Sequence, residues 1–189
     1  MRTIKLTAET KKDLLNSLLK RSPDNYGEFE TAVAQIVKNV REKKDEAVFA
    51  YTEKFDKCKM TAETVKVTRE EIEEAYGALE PDLVEVMRKS AENIRAFHEK
   101  QKHNYWFDVK EDGSMLGQKI TPISLSGVYV PGGKAAYPSS GLMNVIPAKV
   151  AGVGKIIMTT PPGADGKAYA GTLAAADIAG VDEIYKVGG

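Results

Sequence analysis

The segment Tyr129–Lys134, Tyr-Val-Pro-Gly-Gly-Lys, has the residue types of a ligand-binding loop. It continues from an apolar run, Gly127–Val130, that is typical of a buried strand. Paired glycines let backbone amides approach a ligand closely, and Ser139 and Ser140 are placed to cap a helix whose amino end would favour an anion. The spacing is not Gly-x-Gly-x-x-Gly, so the ordinary dinucleotide fingerprint is absent. A plain tight turn explains this loop about as well as a ligand site does.

The other chemically reactive residue types form no catalytic group. His98 and His103 are the only histidines, and their spacing places them on different faces of one helix. No neighbouring cysteine, histidine or acidic residue completes a metal-ligand set. Cys58 is the single cysteine, and the sequence has no Ser-His-Asp, Cys-His or Gly-x-Ser-x-Gly arrangement. The sequence therefore predicts no catalytic residue and no metal ligand in this chain.

The second half of the chain alternates strands and helices. Strands are predicted at 127–130, 155–160 and 183–187, so they begin about every 28 residues, with helices at 139–151 and 167–179 between them. Such a βαβαβ series predicts a parallel sheet with right-handed crossovers.

Single residues refine these boundaries. Gly152 and Gly180 are natural helix ends, and Pro147 is expected to kink or shorten the first crossover helix. The segment 115–123 is expected to be extended, as an edge strand or one arm of a hairpin.

The first half of the chain has a helical pattern. Of the 54 charged residues, 44 lie at or before Asp112, whereas 14 of the 16 glycines lie at or after Gly113. We therefore predict a helical region over 1–112 and a glycine-rich α/β domain over 113–189. Trp106 is expected to fill the junction between the two halves.

Three helices of the first half are predicted in detail. Apolar residues from 29 to 40 recur at helical spacing and predict a buried face; they are Phe29, Val33, Ile36, Val37 and Val40. Thr68 and Glu71 have the spacing of a capping box, and Pro81 suits the first turn of a longer helix.

Composition excludes several classes of protein. The formal net charge is zero, with 27 basic and 27 acidic residues, which argues against a nucleic-acid binder. No stretch approaches the roughly 18 apolar residues of a membrane span, and the amino-terminal residues lack the apolar core of an export signal. We therefore expect a cytoplasmic protein with no nucleic-acid or membrane partner.

Residues 127–162, GVYVPGGKAAYPSSGLMNVIPAKVAGVGKIIMTTPP, closely resemble the strongest signature of the histidinol dehydrogenase family. The resemblance extends forward through Ala179–Tyr185 to Val187–Gly189. It extends backward through Asp45–Ala47, through Tyr51–Thr52 with Phe55–Asp56, and through Ile94–His98. The resemblance thus covers essentially the whole chain.

This resemblance implies a fold and an activity. The family oxidises L-histidinol to L-histidine through the aldehyde, with two NAD and a zinc ion, and its members are homodimers with an aldehyde-dehydrogenase-like pair of Rossmann-like domains and small helical extensions. The expected fold is thus α/β, a helical amino-terminal segment followed by an incomplete Rossmann-like βαβαβ unit. Tyr129 matches the tyrosine of the family that contacts NAD, and Pro131, Gly132 and Gly133 match the surrounding loop. The family's zinc ligands, its Glu-His catalytic pair and its histidinol-binding residues match no position here.

The chain resembles the amino-terminal portion of a longer enzyme, because its third strand is followed by no third helix. We expect such a chain to be inactive by itself. Two alternatives remain: a catalytically inert module that binds NAD or another protein, and a related reductase such as glutamyl phosphate reductase. The reductase would need a catalytic cysteine, and Cys58 lies in the helical half.

Overall fold

The computed structural model describes residues 5–19, 27–132 and 136–188. The chain divides into two compact units, one ending at Ala47 and the other beginning at Val48. The domain boundary expected near residue 112 from composition remains a prediction. The elements are α1 (Ala8–Leu19), α2 (Gly27–Lys43), α3 (Asp45–Asp56), α4 (Arg69–Gly77), α5 (Pro81–Glu99), β1 (Trp106–Val109), β2 (Met115–Gln118), β3 (Leu125–Tyr129), α6 (Pro138–Val150), β4 (Lys155–Thr160), α7 (Ala170–Ala179) and β5 (Glu183–Lys186).

Helix α2 of the first unit forms where periodicity predicts it, but its apolar face is not buried. Phe29, Val33 and Val37 are all exposed. The expectation of a buried face is therefore wrong for this chain. Ile36 and Val40 of the same stripe are half-buried. Periodicity dictates the helix, whereas burial requires an opposing apolar surface.

Both predicted helix starts of the second unit are confirmed. The Thr68 hydroxyl accepts a hydrogen bond from the Glu71 amide, and the Glu71 carboxylate accepts one from the Thr68 amide, so a full capping box opens α4. Pro81 occupies the first turn of α5, whose Met87 and Ala91 are buried.

The three predicted strands form the expected parallel sheet, in the order β3-β4-β5. Tyr129 lies beside Thr159 in the β3–β4 register, and Thr160 lies beside Lys186 in the β4–β5 register. This confirms the α/β class and the βαβαβ arrangement.

The predicted ends of the two crossover helices have different outcomes. Helix α6 continues three residues beyond Pro147, so the proline does not shorten it. The missing amide of Pro147 leaves the carbonyl of Met143 without its helical partner, and Met143 lies on the exposed side of α6. Helix α7 ends at Gly180, whose left-handed φ of 90° suits glycine, as predicted.

The core lies on one face of the sheet. Alternate strand residues, including Val128, Ile156, Met158 and Ile184, are buried and belong to one apolar cluster with Val145 and Leu173 of the crossover helices. Helices α4 and α5 contact α6 and α7 as a second helical layer. The layers are therefore sheet, helices and helices.

The opposite face of the sheet is open. Leu125 and Tyr129 are 52% and 47% exposed, Ile157 and Tyr185 are half-buried, and a side chain at Gly127 would meet no atom within 4 Å. Parallel sheets are normally covered on both faces. The described residues cover only one face of this sheet.

One edge of the sheet is protected by a segment that sequence patterns do not reveal. Residues 65–67 run antiparallel to β5: the Val67 amide donates to the Ile184 carbonyl at 2.9 Å, and the Lys186 amide donates to the Val65 carbonyl at 2.8 Å. No described residue pairs with the outer edge of β3.

The segment near residue 115 forms one arm of a hairpin, as predicted, and β1 is the arm that prediction missed. β1 and β2 pair antiparallel, and all eight of their residues are exposed. Trp106 is 54% exposed in β1, so it does not fill a junction. An isolated two-stranded hairpin has no face to bury an aromatic side chain against.

Acid is expected to weaken the packing at the start of β5. Glu183 accepts hydrogen bonds from the Lys66 and Lys155 ammonium groups at 2.9 and 3.0 Å, which lowers its pKa to about 2 from 4.5. A carboxylate with a lowered pKa adds stability above its unfolded pKa, and this stability is lost as the pH falls from about 4.5 towards 2. Urea unfolding should show that the free energy of unfolding depends less steeply on pH in Glu183→Gln than in the parent over this range. An equal pH dependence in the two proteins would contradict the stabilising role of the Glu183 carboxylate.

Candidate functional site

The carboxyl ends of the three parallel strands lie at one edge of the sheet. β3 leads into Pro131 and Gly132, β4 into Pro161 and Pro162, and β5 into Val187 and Gly188. Ligands of open parallel sheets bind at this edge. The loop singled out in the sequence therefore lies where a ligand is expected.

Tyr129 is the last residue of β3 and points to the open face. Its ring is about half exposed, whereas its neighbours Val128 and Val130 are buried. The side chain is therefore available to a flat ligand group lying across the carboxyl edge.

The loop after Tyr129 packs against the loop after β4. Pro131 and Gly132 are half-buried, and a Cβ added at Gly132 would lie 2.8 Å from Cγ of Pro161. The close approach of Pro161 is thus one physical reason for glycine at 132. Gly133 lies outside the described residues.

Helix α6 begins directly after this loop, with an N-cap that differs from prediction. The N-cap residue is Tyr137, which makes no side-chain capping hydrogen bond, and Ser139 and Ser140 lie inside the helix. The Ser140 amide donates to the Tyr137 carbonyl at 2.9 Å. Pro138 occupies the first position of the helix, where proline is favoured. The N-cap therefore falls on the residue before it, Tyr137, and not on a serine. The positive end of α6 is therefore not neutralised by a side-chain cap.

A buried ion pair at the end of β5 was not anticipated. Lys186 is 4% exposed, and its ammonium group donates to Glu71 Oε1 at 2.6 Å. The other oxygen of Glu71 accepts the Thr68 amide at 2.9 Å. One carboxylate therefore joins the start of α4 to the carboxyl end of β5. No sequence signal marks Lys186 as buried, since lysine is ordinarily a surface residue.

Asp56 also reaches this edge. A Cβ added at Gly188 would lie 2.9 Å from Asp56 Oδ2, so the carboxylate occupies the space of a side chain at 188. Burial raises the pKa of Asp56. Only the tertiary fold brings α3 to the end of β5.

The histidines lie away from any metal-binding arrangement. His98 Nδ1 is 2.6 Å from Gln101 Oε1, and His103 is exposed. Across residues 5–19, 27–132 and 136–188, no three histidine, cysteine or acidic residues are grouped as metal ligands would be. Within that part of the chain, no helix is long and apolar enough to cross a membrane.

Two cavities lie away from the Tyr129 loop. One of about 90 Å³ lies between α4 and the residues around the start of α7, and Glu71, Lys167 and Leu173 are among its lining residues. A larger one of about 490 Å³ lies at the amino ends of the strands, lined by residues 101–105 and by Ile120, Pro122, Ala151 and Gly152. Because parallel sheets bind ligands at the opposite edge, neither is the expected cofactor site.

A parallel sheet with helical crossovers and an accessible proline-glycine loop at its carboxyl edge defines the Rossmann-like class of α/β proteins. The histidinol dehydrogenase family model matches residues 19–189. This chain belongs to the histidinol dehydrogenase family, a family of oxidoreductases of histidine biosynthesis.

Individual relatives agree with this assignment. The chain is 53% identical over 173 residues to histidinol dehydrogenase of Geobacillus kaustophilus, covering 92% of this chain and 40% of the relative. It is 46% identical over 187 residues to that of Methanocaldococcus jannaschii, covering 98% of this chain and 43% of the relative. The crystal structure of histidinol dehydrogenase from Elizabethkingia anophelis superposes with a TM-score of 0.79 at 31% identity, covering 89% of this chain and 38% of that one. The chain therefore spans about two fifths of the length of its relatives and corresponds to their amino-terminal portion.

Proposed function

We propose that this chain forms one wall of the NAD site of a histidinol dehydrogenase that oxidises L-histidinol to L-histidine through the aldehyde. The observation that carries the proposal is the half-exposed ring of Tyr129 at the carboxyl edge of a parallel sheet in a chain of this family. The remaining walls, the substrate site and the catalytic residues belong to parts of the enzyme that this chain does not match.

The described residues fit part of a dinucleotide site. Tyr129 offers an aromatic face and the uncapped amino end of α6 offers a positive dipole for a phosphate, while Pro131 and Gly132 supply a compact loop between them. NAD supplies the hydride acceptor when it is bound. The role of this chain is to bind and orient that cofactor. Gly133 belongs to the same proposed loop.

Zinc belongs to the proposal for the longer enzyme only. The described residues contain no group of three histidine, cysteine or acidic side chains that could hold the ion. We further propose that the enzyme is a cytoplasmic homodimer that acts on a small-molecule substrate. It is proposed to have neither a nucleic-acid partner nor a membrane partner.

Replacing Tyr129 by alanine tests the cofactor role. In a chimera whose amino-terminal two fifths are this chain and whose remainder is the Geobacillus kaustophilus enzyme, Tyr129→Ala should raise KM for NAD about fivefold, because loss of an aromatic contact costs about 1 kcal/mol. The assay is histidinol-dependent NADH formation with zinc present. The chain by itself should form no NADH.

Tyr105→Ala is the matched control, because Tyr105 is an exposed tyrosine that precedes the hairpin. It should leave KM for NAD unchanged. An unchanged KM in Tyr129→Ala would contradict the cofactor role, and turnover by the chain alone would contradict the inactive-fragment interpretation. Calorimetric titration of the chain with NAD tests the alternative of a catalytically inert binding module, because such a module would bind NAD without forming NADH.

A further inference from the structure

Asp56 brings a carboxylate to the carboxyl edge of the sheet without a hydrogen-bond partner in the described part of the chain. It is the last residue of α3, and its side chain is half-buried. Its two oxygens lie 2.9 and 3.2 Å from the position that a Cβ would take at Gly188, just beyond β5. Among the described residues, no amide, hydroxyl or basic group donates a hydrogen bond to this carboxylate, and burial alone raises its pKa. Asp56 therefore has acceptor capacity that the described residues do not use.

A carboxylate in this position is unfavourable by itself. Partial burial penalises its charge, and the carboxyl end of a helix carries the negative end of the helix dipole. Polar groups that a fold removes from water are normally given hydrogen-bond partners. The partly exposed side chain of Asp56 is open to donors that a bound molecule supplies.

Asp56 and Tyr129 lie at opposite sides of the same edge. Tyr129, Thr159 and Tyr185 form one row across β3, β4 and β5. Neighbouring strands are about 4.8 Å apart, so the backbone of Tyr185 lies about 10 Å from that of Tyr129. An extended dinucleotide that contacts the Tyr129 ring is long enough to reach the carboxylate beyond the end of β5.

The loop after β4 offers no free carboxylate for a ribose. In doubly wound sheets that bind NAD, an acidic residue after the glycine-rich turn accepts hydrogen bonds from a ribose hydroxyl. Here β4 ends in two threonines followed by two prolines, at 159–162. The first carboxylate of this loop, Asp165, turns back into the loop and accepts the Lys167 amide at 3.1 Å. Asp56 is therefore the carboxylate available for this contact.

We propose that Asp56 is a specificity-determining residue of the NAD site, whose carboxylate accepts hydrogen bonds from the ribose hydroxyls of the adenosine half and disfavours a dinucleotide that carries a 2′-phosphate. This inference rests on the proposed function and adds the recognition of the ribose. Tyr129 offers its ring to either dinucleotide. Asp56 distinguishes the two, because hydroxyl groups satisfy its oxygens whereas a phosphate repels them.

Calorimetric titration of the chimera described above with NAD and with NADP, without histidinol, tests this role. Asp56→Asn keeps the shape of the side chain and one acceptor oxygen but removes the charge. It should weaken NAD binding about fivefold and leave NADP binding unchanged or tighter, because a charged acceptor makes the stronger hydrogen bond to a hydroxyl and repels a phosphate. The preference for NAD, expressed as the ratio of the two Kd values, should therefore fall at least about fivefold.

Asp165→Asn is the matched control, since it makes the same substitution at an exposed carboxylate of the loop after β4. It should leave the ratio unchanged. Asp56→Asn should not lower the Tm, because it removes a partly buried charge without changing the size of the side chain.

Three outcomes would overturn the role of Asp56. They are an unchanged ratio in Asp56→Asn, an equal weakening of both dinucleotides, and no measurable NADP binding by that variant. Equal weakening would mean that Asp56 only supports the backbone at Gly188. The proposed function fails on a different result, because Tyr129→Ala should weaken NAD and NADP alike and leave their ratio unchanged.

Discussion

Ile156→Ala should lower the free energy of unfolding of this chain by about 3–4 kcal/mol, measured by urea denaturation. Ile156 is fully buried on the face of β4 that packs against the crossover helices, in the same cluster as Val145 and Leu173. Removing most of its side chain forfeits the transfer free energy of the lost carbons. It also leaves a cavity that the packed helices cannot close completely.

Ile157→Ala is the matched control for this prediction. The same substitution one residue later removes a half-buried side chain from the open face, so the expected loss is about 1 kcal/mol. Equal losses of unfolding free energy at Ile156 and Ile157 would contradict a sheet with one buried face and one open face.

Glu71→Ala should lower the free energy of unfolding by about 3–5 kcal/mol, because it leaves the ammonium group of Lys186 buried without its partner. The substitution also removes the acceptor for the Thr68 amide in the capping box of α4. Chemical denaturation at neutral pH is the measurement.

Two further variants separate the ion pair from a general effect of charge. Glu73→Ala removes an exposed carboxylate from the same helix, paired with Arg69 at 3.4 Å, and should cost at most about 0.5 kcal/mol. The double variant Glu71→Leu with Lys186→Met should recover much of the loss, because apolar residues of similar size often replace a buried ion pair without penalty. If Glu71→Ala lowered the free energy of unfolding only as much as Glu73→Ala, the result would contradict a buried ion pair between Glu71 and Lys186.

Much of the fold follows from local sequence patterns. The strand rhythm from Gly127 to Val187 predicted three parallel strands within two residues of their ends, because short apolar runs bounded by glycine and proline have few other stable arrangements. The capping box at Thr68 and the left-handed stop at Gly180 are decided by hydrogen bonds and backbone angles within a few residues. The family signature around Tyr129 is likewise local, because it is one continuous run of residues.

The sequence by itself therefore determined the family, the α/β class and the helix boundaries at Thr68 and Gly180, while the ligand role of the loop after Tyr129 stays a prediction. Only the tertiary structure decided which strand face is buried, that residues 65–67 close the β5 edge, and that Lys186 and Asp56 reach the carboxyl edge. It also decided that the apolar stripe of α2 and the hairpin at Trp106 remain exposed. The physical reason is range: caps and turns depend on neighbours in sequence, whereas burial depends on which surfaces, distant in sequence or absent from the chain, come to lie against each other.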